Sequence, residues 1–417
     1  MPIDIKLLRV DQGGDPELVR ESQRKRFARG LSALREQAAR FDRVEGHALR
    51  VPEEHFVEAL DRLDPGVRRA LEEAIARVRH ASRAQVPPAV TTEIARGAVI
   101  EQRWRPVARA GVYVPGGKAV YPSSVVMNVV PAQVAGVARI ALASPPQAEH
   151  GGRVHPDILA AARLLGIDEV YAVGGAGAIG AFAYGVSEIG LEPVDVVTGP
   201  GNNFVASAKR VVAGVVGVDS EAGATEILIV ADASADPRFV AVDLISQAEH
   251  DEQASAVLVT PSAELAEAVT REVEARVSGT RNAARAIEAL RGVQSAIILV
   301  DDLDTAIAFS NAYAPEHLEV LLEDAQVERF VNAGAVFVGD SSPVSLGDYL
   351  AGSNHVLPTG GQSRYTSGLS ASTFLRPQQV IRYDRDALHA VAEGILALAK
   401  AEALPAHGEA VTARFEG

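Results

Sequence analysis

The feature that most constrains the fold is a regular alternation of helical and apolar strand patterns along residues 125–337. Helical patterns cover residues 125–137, 156–165, 178–184, 204–213 and 237–250, and strand patterns cover residues 139–143, 169–173, 194–198, 226–231 and 256–260. Strands that are joined by helices pair in parallel, because each helix carries the chain back to the same edge of the sheet. The sequence therefore predicts an α/β protein with open parallel sheets, divided near Gly223, whose sites lie beyond the carboxyl ends of the strands.

Composition narrows the class of protein further. The chain has 417 residues, of which 47% are hydrophobic and 23% charged, and this balance favours two or three folded domains. A net charge of −14 argues against nucleic-acid and anionic-membrane partners. Gly, Pro or charged residues interrupt every long apolar stretch, and residues 1–6 lack a signal-peptide core, so we expect a cytoplasmic protein without a membrane partner.

The chain contains no cysteine. This excludes thiolate zinc sites, and it excludes a covalent thiol route for the oxidation of aldehydes. Any metal ion must instead be held by imidazole, carboxylate, amide or water ligands.

The dipeptide Glu316-His317 is the main catalytic candidate. It follows an apolar helix-like run and precedes the apolar residues 318–321. A carboxylate and an imidazole side by side provide two proton acceptors. Taken alone, such a dipeptide is more often a solvated turn.

Three glycine-rich turns are candidates for cofactor binding. One is the Pro115-Gly116-Gly117 turn, which follows an apolar strand that includes Tyr113, and a second joins a strand to a helix just before Asn202, the geometry that receives phosphate. The third, which contains Gly177, matches the dinucleotide fingerprint G-x-G-x-x-G. Asp195 lies at about the distance of the ribose carboxylate, but it opens the next strand instead of ending it.

Possible metal ligands lie in two later segments. Gln247 and His250 are three residues apart and share a face at the predicted carboxyl end of a helix, the end that favours a cation, although a polar helix end without a ligand explains the pattern as well. Asp348 and His355 are the reactive side chains of a long loop rich in Gly, Ser and Pro, and loops of that kind are usually functional.

Taken together, the segments at residues 113–117, 246–250, 315–319, 347–349 and 406–407 resemble the histidinol dehydrogenase family, in one order over essentially the whole chain. The resemblance implies an enzyme that uses NAD and one zinc ion per site. It implies the oxidation of L-histidinol through L-histidinal to L-histidine, the last steps of histidine biosynthesis.

The resemblance also implies roles for individual residues. The implied zinc ligands are Gln247, His250, Asp348 and His407. Glu316 would activate water and His317 would accept the hydroxyl proton. The substrate would contact the zinc ligands, His317, Thr225 and His355. Its amino group would contact Glu402. Tyr113 and Asn202 would belong to the NAD site.

The implied architecture is a pair of incomplete Rossmann-like domains with small helical elements at both ends of the chain. Residues 16–117 with 225–365 would form the domain that carries the catalytic pair and most zinc ligands, and residues 118–224 would form the NAD-binding domain. Residues 1–15 would form an N-terminal arm. Residues 366–417 would form a C-terminal arm that completes the partner's site in an intertwined homodimer with shared active sites.

The sequence departs from the family pattern at two places. Family members usually carry Gln at the position of Gly177, where it helps to bind NAD, so the fingerprint match arises from a substitution. They also usually carry Gly-Pro where Gly223-Ala224 stands. Two alternatives therefore stay open: a related dehydrogenase of another small alcohol, against which Glu402 argues, and a zinc hydrolase in which Glu316 activates water without NAD.

Overall fold

The computed structural model describes residues 30–116, 120–221 and 223–416. The predicted N-terminal arm, residues 1–15, lies outside this part of the chain. The described residues form two compact units, one of residues 30–85 and 107–374 and the other of residues 86–106 and 375–416. No helix in the described ranges is both long and apolar enough to cross a membrane.

The first unit contains most of the regular structure. Its helices are α1 (Leu31–Gln37), α2 (Glu53–Arg62), α3 (Pro65–Ala84), α4 (Pro122–Ala135), α5 (Pro156–Leu164), α6 (Gly175–Tyr184), α7 (Asn203–Val212), α8 (Pro237–Ala248), α9 (Ala263–Arg276), α10 (Ala283–Arg291), α11 (Leu303–Tyr313) and α12 (Val344–Tyr349). The helices α13 (Arg385–Ala401) and α14 (Pro405–Thr412) belong to the second unit.

The strands in chain order are β1 (Val90–Ala95), β2 (Ala98–Pro106), β3 (Arg109–Tyr113), β4 (Arg139–Ser144), β5 (Val170–Ala172), β6 (Val196–Thr198), β7 (Gly217–Val218), β8 (Glu226–Ala231), β9 (Ser255–Thr260), β10 (Ala296–Leu299), β11 (His317–Leu321), β12 (Ala335–Val338) and β13 (Leu375–Tyr383). They form two five-stranded parallel sheets and one three-stranded antiparallel sheet. The predicted α/β class with open parallel sheets is therefore confirmed.

The first sheet has the strand order β5-β4-β3-β6-β7. Every residue of its central strand β3 is buried, because helices cover the sheet on both faces and their small side chains allow close packing. The ends of neighbouring strands are held in register by pairs such as Val112 with Leu142 and with Thr198.

The second sheet has the order β10-β9-β8-β11-β12. Strand β11 is buried along its whole length, and its side chains alternate between the two faces. Leu318 and Val320 belong to a hydrophobic cluster distinct from that of Leu321. Glu319 is hydrogen-bonded within the protein to Asp243 of α8, and this pair of carboxyl groups is almost fully buried.

The strands of each sheet do not all come from one of the predicted domains. Strand β3, which the sequence analysis groups with residues 16–117 of the catalytic domain, is the centre of the first sheet. Strands β1 and β2, from the same predicted domain, belong to the sheet of the second unit, where β2 pairs with β1 and with β13 of the C-terminal part. No local sequence pattern predicts the pairing of β2 with β13, because the two strands lie far apart in sequence. The functional assignment of the domains stays a prediction.

Only seven residues of the sequence, 219–225, separate the carboxyl end of β7 from the amino end of β8. The carboxyl edge of the first sheet and the amino edge of the second sheet are therefore joined by a short stretch of chain. The loop before β13 also reaches this region, since Thr359 Oγ1 accepts a hydrogen bond from the Gly223 N–H at 2.7 Å.

Candidate active site

Glu316 and His317 lie at the amino end of β11, beside the amino end of β8, where His317 pairs with Ile227. The expectation that sites lie beyond the carboxyl ends of strands is therefore wrong for the second sheet. The chain enters β11 from α11 through Ala314, whose left-handed conformation (φ 53°) ends the helix and turns the backbone. Both catalytic candidates are buried.

The Glu316 carboxylate is held by two donors on one oxygen. Its Oε2 accepts hydrogen bonds from Thr225 Oγ1 at 2.5 Å and from the Glu226 N–H at 2.8 Å. Because the single Thr225 proton goes to Glu316, Thr225 Oγ1 accepts in turn from Gln247 Nε2 at 2.6 Å. The chain Gln247–Thr225–Glu316 thus links α8 to the carboxylate of Glu316, and Oε1 is the carboxylate oxygen that these bonds do not occupy.

The ring of His317 is oriented by the main chain. Its Nδ1 lies 3.0 Å from the Glu226 carbonyl oxygen, which only accepts, so Nδ1 carries a proton and Nε2 is the nitrogen that a neutral imidazole can use as a base. Burial lowers the pKa of His317, but the nearby carboxylates of Glu316 and Asp348 outweigh burial and raise that pKa to about 9. Nε2 faces Asp348 Oδ1 at 4.0 Å.

Glu226 connects the parts of this site, and the sequence analysis missed it. Its backbone N–H binds Glu316 and its carbonyl oxygen binds His317, while its side-chain Oε1 accepts from the Gly360 N–H at 2.9 Å. Burial raises the pKa of Glu226 to about 7, the Gly360 N–H opposes this rise, and repulsion by Glu316 adds to it. A carboxylate at the start of an apolar strand, directly after Thr225, was the available signal.

The predicted zinc ligands of the first unit come from α8, the turn after it, and α12. Gln247 is 2% exposed. Its side-chain nitrogen donates to Thr225 Oγ1, and this bond does not use the side-chain oxygen Oε1. Helix α8 ends at Ala248, so His250 lies beyond the helix and not on its face as predicted. Its ring stacks on Tyr121 with centroids 6.3 Å apart.

The oxygen and nitrogen atoms of these side chains suit zinc, which binds carboxylate and imidazole ligands. Gln247 Oε1 takes no part in the hydrogen-bonded chain Gln247–Thr225–Glu316. Within the described ranges, no three His, Asp or Glu side chains are close enough together to hold a metal ion. The zinc ligand set stays a prediction.

His355 lies near Asp348, and both of its ring nitrogens lie within hydrogen-bond distance of protein oxygen atoms. Its Nδ1 lies 2.9 Å from the Asp348 carbonyl oxygen, and its Nε2 lies 3.0 Å from Ser124 Oγ in the first turn of α4. Burial lowers the pKa of His355, which favours the neutral ring. A substrate group at Nε2 must therefore replace the Ser124 hydroxyl.

Glu402 and His407 belong to the second unit. Glu402 follows the end of α13, and His407 lies in α14, a helix that the sequence analysis did not predict. Pro405 occupies the first turn of α14, a position that proline favours. Both side chains are exposed on the chain.

The two predicted NAD-site residues lie at the carboxyl edge of the first sheet. Tyr113 ends β3, and its hydroxyl oxygen accepts from the Gly175 N–H at 3.0 Å; burial raises the pKa of Tyr113 to about 12. Asn202 caps α7, where its Oδ1 accepts from the Phe204 N–H at 3.1 Å. Asp195 instead binds backbone N–H groups at the amino end of β3, so it belongs to the opposite edge.

The space above Gly177 is filled by a side chain from another helix. Gln37, at the end of α1, donates from Nε2 to the Gly174 carbonyl oxygen at 2.6 Å. A Cβ atom at residue 177 would lie 2.5 Å from Gln37 Oε1. The glycine therefore makes room for the amide of Gln37.

Comparisons with known proteins identify the family of this chain. The family model described as histidinol dehydrogenase matches residues 18–415. Among curated proteins, the histidinol dehydrogenase of Leifsonia xyli subsp. xyli is 68% identical over 93% of this chain and 89% of its own length, and that of Corynebacterium glutamicum is 57% identical over 93% and 88%. The crystal structure of histidinol dehydrogenase from Elizabethkingia anophelis superposes with a TM-score of 0.90 at 33% identity, covering 98% of this chain and 94% of that chain. The chain therefore belongs to the histidinol dehydrogenase family of NAD-dependent oxidoreductases.

Proposed function

We propose that this chain oxidises L-histidinol to L-histidinal and then to L-histidine, with reduction of two NAD molecules, in the last steps of histidine biosynthesis. The observation that carries the proposal is the pair Glu316 and His317, each fixed through Glu226 at the start of two neighbouring strands. Two successive oxidations need two proton acceptors, and this pair supplies them.

The hydrogen bonds support a division of labour between the two side chains. In the first oxidation the hydroxyl proton passes to His317 Nε2 as hydride leaves for NAD. In the second oxidation water adds to the aldehyde as Glu316 Oε1 takes a proton from that water. The resulting hydrate anion loses a hydride to the second NAD, which forms the carboxylic acid of L-histidine, and that acid then loses its proton to solvent. Since the chain has no cysteine, a hydrated aldehyde is the route that avoids a thiol intermediate.

We propose Gln247, His250, Asp348 and His407 as the zinc ligands, and Tyr113 and Asn202 as residues of the NAD site. A bound zinc ion would orient the amino alcohol and offset the charge of Asp348, one of the carboxylates that keep His317 protonated. His250→Asn should lower the zinc content of the purified protein. An unchanged zinc content would reject this ligand.

The active protein is proposed to be a homodimer with shared sites, in which residues 366–417 complete the site of the partner. The position of Glu402 and His407 in a C-terminal unit separate from the two parallel sheets supports this arrangement. The cytoplasmic location and the lack of nucleic-acid or membrane partners stay predictions.

The experiment is the reduction of NAD by purified protein with L-histidinol, followed by product analysis. Wild type should form two NADH and one L-histidine per L-histidinol. Glu316→Gln should slow the oxidation of supplied L-histidinal by about 10²–10⁴-fold and the alcohol step less, because it removes one general base. Equal losses in both steps would refute the assignment, and no NAD reduction would favour a hydrolase.

A further inference from the structure

The loop between β6 and α7 is pressed against the end of β3. Gly199 opens this loop with φ 117°, and a Cβ atom there would lie 1.9 Å from the Tyr113 carbonyl oxygen. Only glycine fits such an approach. The loop ends at Asn202, so its position relative to β3 sets the spacing between the two proposed NAD-site residues.

A buried ion pair holds both polar groups of the Gly199 backbone. Lys209 of α7 is 1% exposed, and its ammonium donates to the Gly199 carbonyl oxygen at 2.6 Å, to Asp219 Oδ1 at 2.5 Å and to the Ser220 carbonyl oxygen at 3.3 Å. These three bonds use all the donors of an ammonium group. Asp219 Oδ2 accepts from the Gly199 N–H at 2.8 Å.

Stability alone does not account for this pair. Removing two charges from water costs free energy that their attraction often fails to recover, and apolar replacements of buried ion pairs are often neutral or stabilising. Unlike an apolar pair, the ion pair fixes the orientation of a backbone segment, because it is hydrogen-bonded to both the N–H and the carbonyl oxygen of Gly199. Gly199 is also the residue that contacts the Tyr113 backbone.

We propose that the Lys209–Asp219 ion pair is a positioning element for NAD binding, which holds the Gly199 loop against β3. The proposal rests on the proposed NAD site at Tyr113 and Asn202. Neither charged group needs to contact NAD, and the effect passes through the loop that carries Asn202.

The same sheet offers a matched control at its opposite edge. Arg109, at the start of β3, forms an ion pair with Glu169, which precedes β5, and their side chains are 4% and 15% exposed. Glu169 also accepts from the Tyr171 hydroxyl at 2.8 Å. This second buried pair lies at the amino ends of the strands, away from the proposed NAD-site residues.

The experiment compares two double variants that each neutralise one pair, Lys209→Met/Asp219→Asn and Arg109→Met/Glu169→Gln. Wild-type activity with L-histidinol and NAD is established first. Melting temperature, the KM for NAD, the KM for L-histidinol, and kcat at saturating NAD are then measured for all three proteins.

Both double variants should melt at lower temperature than wild type, but only the first should raise the KM for NAD, by about tenfold for the loss of one or two directing hydrogen bonds. Its KM for L-histidinol should stay near the wild-type value. If the first variant does not fold, Asp219→Asn, which keeps an acceptor for the Gly199 N–H, should show the same selective rise to a smaller extent.

An unchanged KM for NAD in the folded Lys209 variant would overturn the inference, as would an equal rise in both double variants. A wild-type protein that does not reduce NAD would reject the proposed function before any variant is compared, so the two failures are distinguishable.

Discussion

Thr225→Val tests the hydrogen-bonded chain that orients Glu316. Valine has nearly the shape of threonine but neither donates nor accepts a hydrogen bond. The variant therefore removes the 2.5 Å bond to Glu316 Oε2, which keeps the Glu226 N–H at 2.8 Å and the weaker contact with His317 Nδ1 at 3.4 Å. A hydrogen bond to a charged group contributes about 1.5–3 kcal/mol, so misplacement of the carboxylate should lower the rate of aldehyde oxidation by about 10- to 150-fold.

The same substitution leaves the buried Gln247 amide without its acceptor at 2.6 Å. The free energy of unfolding should fall by about 1–3 kcal/mol. Thr225→Ser is the matched control, since it keeps the hydroxyl and loses one methyl group, and it should stay close to wild type in rate.

The assay follows NADH formation from L-histidinol and from supplied L-histidinal, with urea unfolding as the measure of stability. A folded Thr225→Val protein that oxidises L-histidinal as fast as Thr225→Ser would refute the view that this hydroxyl positions the catalytic carboxylate.

Three further predictions follow from the structure and the proposed dimer. A mixed dimer of Glu316→Gln and His407→Asn chains should regain about half of the wild-type activity per dimer if sites are shared, whereas inactivity of the folded mixed dimer would reject sharing. Gly177→Gln should bind NAD more tightly in combination with Gln37→Ala than alone, because both side chains need one space; equal KM values for NAD would contradict this. Burial beside a second carboxyl group raises the pKa of Glu319 from 4.5 to about 9, so the folded state holds a proton that the unfolded state releases. Stability should therefore fall as pH rises through that range, by at most about 1.4 kcal/mol per pH unit, and Glu319→Gln should remove this fall in urea unfolding.

The elements of the two parallel sheets that were predicted one by one have local signals. Strand β8 was predicted at residues 226–231 and is found at Glu226–Ala231, since a short apolar run between two helical patterns is typical of a buried parallel strand. Strand β13 could not be predicted in the same way. It alternates weakly, is largely exposed on the chain, and depends on pairing with β2, which lies far away in sequence.

The candidate catalytic pair could be identified in the sequence, but its place in the fold could not. The rule for open sheets directs sites to carboxyl ends of strands, and Tyr113 and Asn202 follow it. Glu316 and His317 do not, because they lie where β11 begins, beside the amino end of β8. Gln37 escaped notice for a different reason: nothing near it in the sequence shows that it reaches Gly174.

The two main-chain contacts that Glu226 makes have a consequence for mutagenesis. Its N–H and carbonyl oxygen hold Glu316 and His317, and every amino acid except proline keeps both groups. Scanning by side-chain substitution would therefore report only the Gly360 contact of this residue and miss its larger contribution. A shift of β8 by one residue would exchange both groups for those of a neighbour that faces the other way. Insertions or deletions in residues 219–225, which precede β8 directly, should therefore disturb the proposed catalytic pair more than substitutions of the Glu226 side chain.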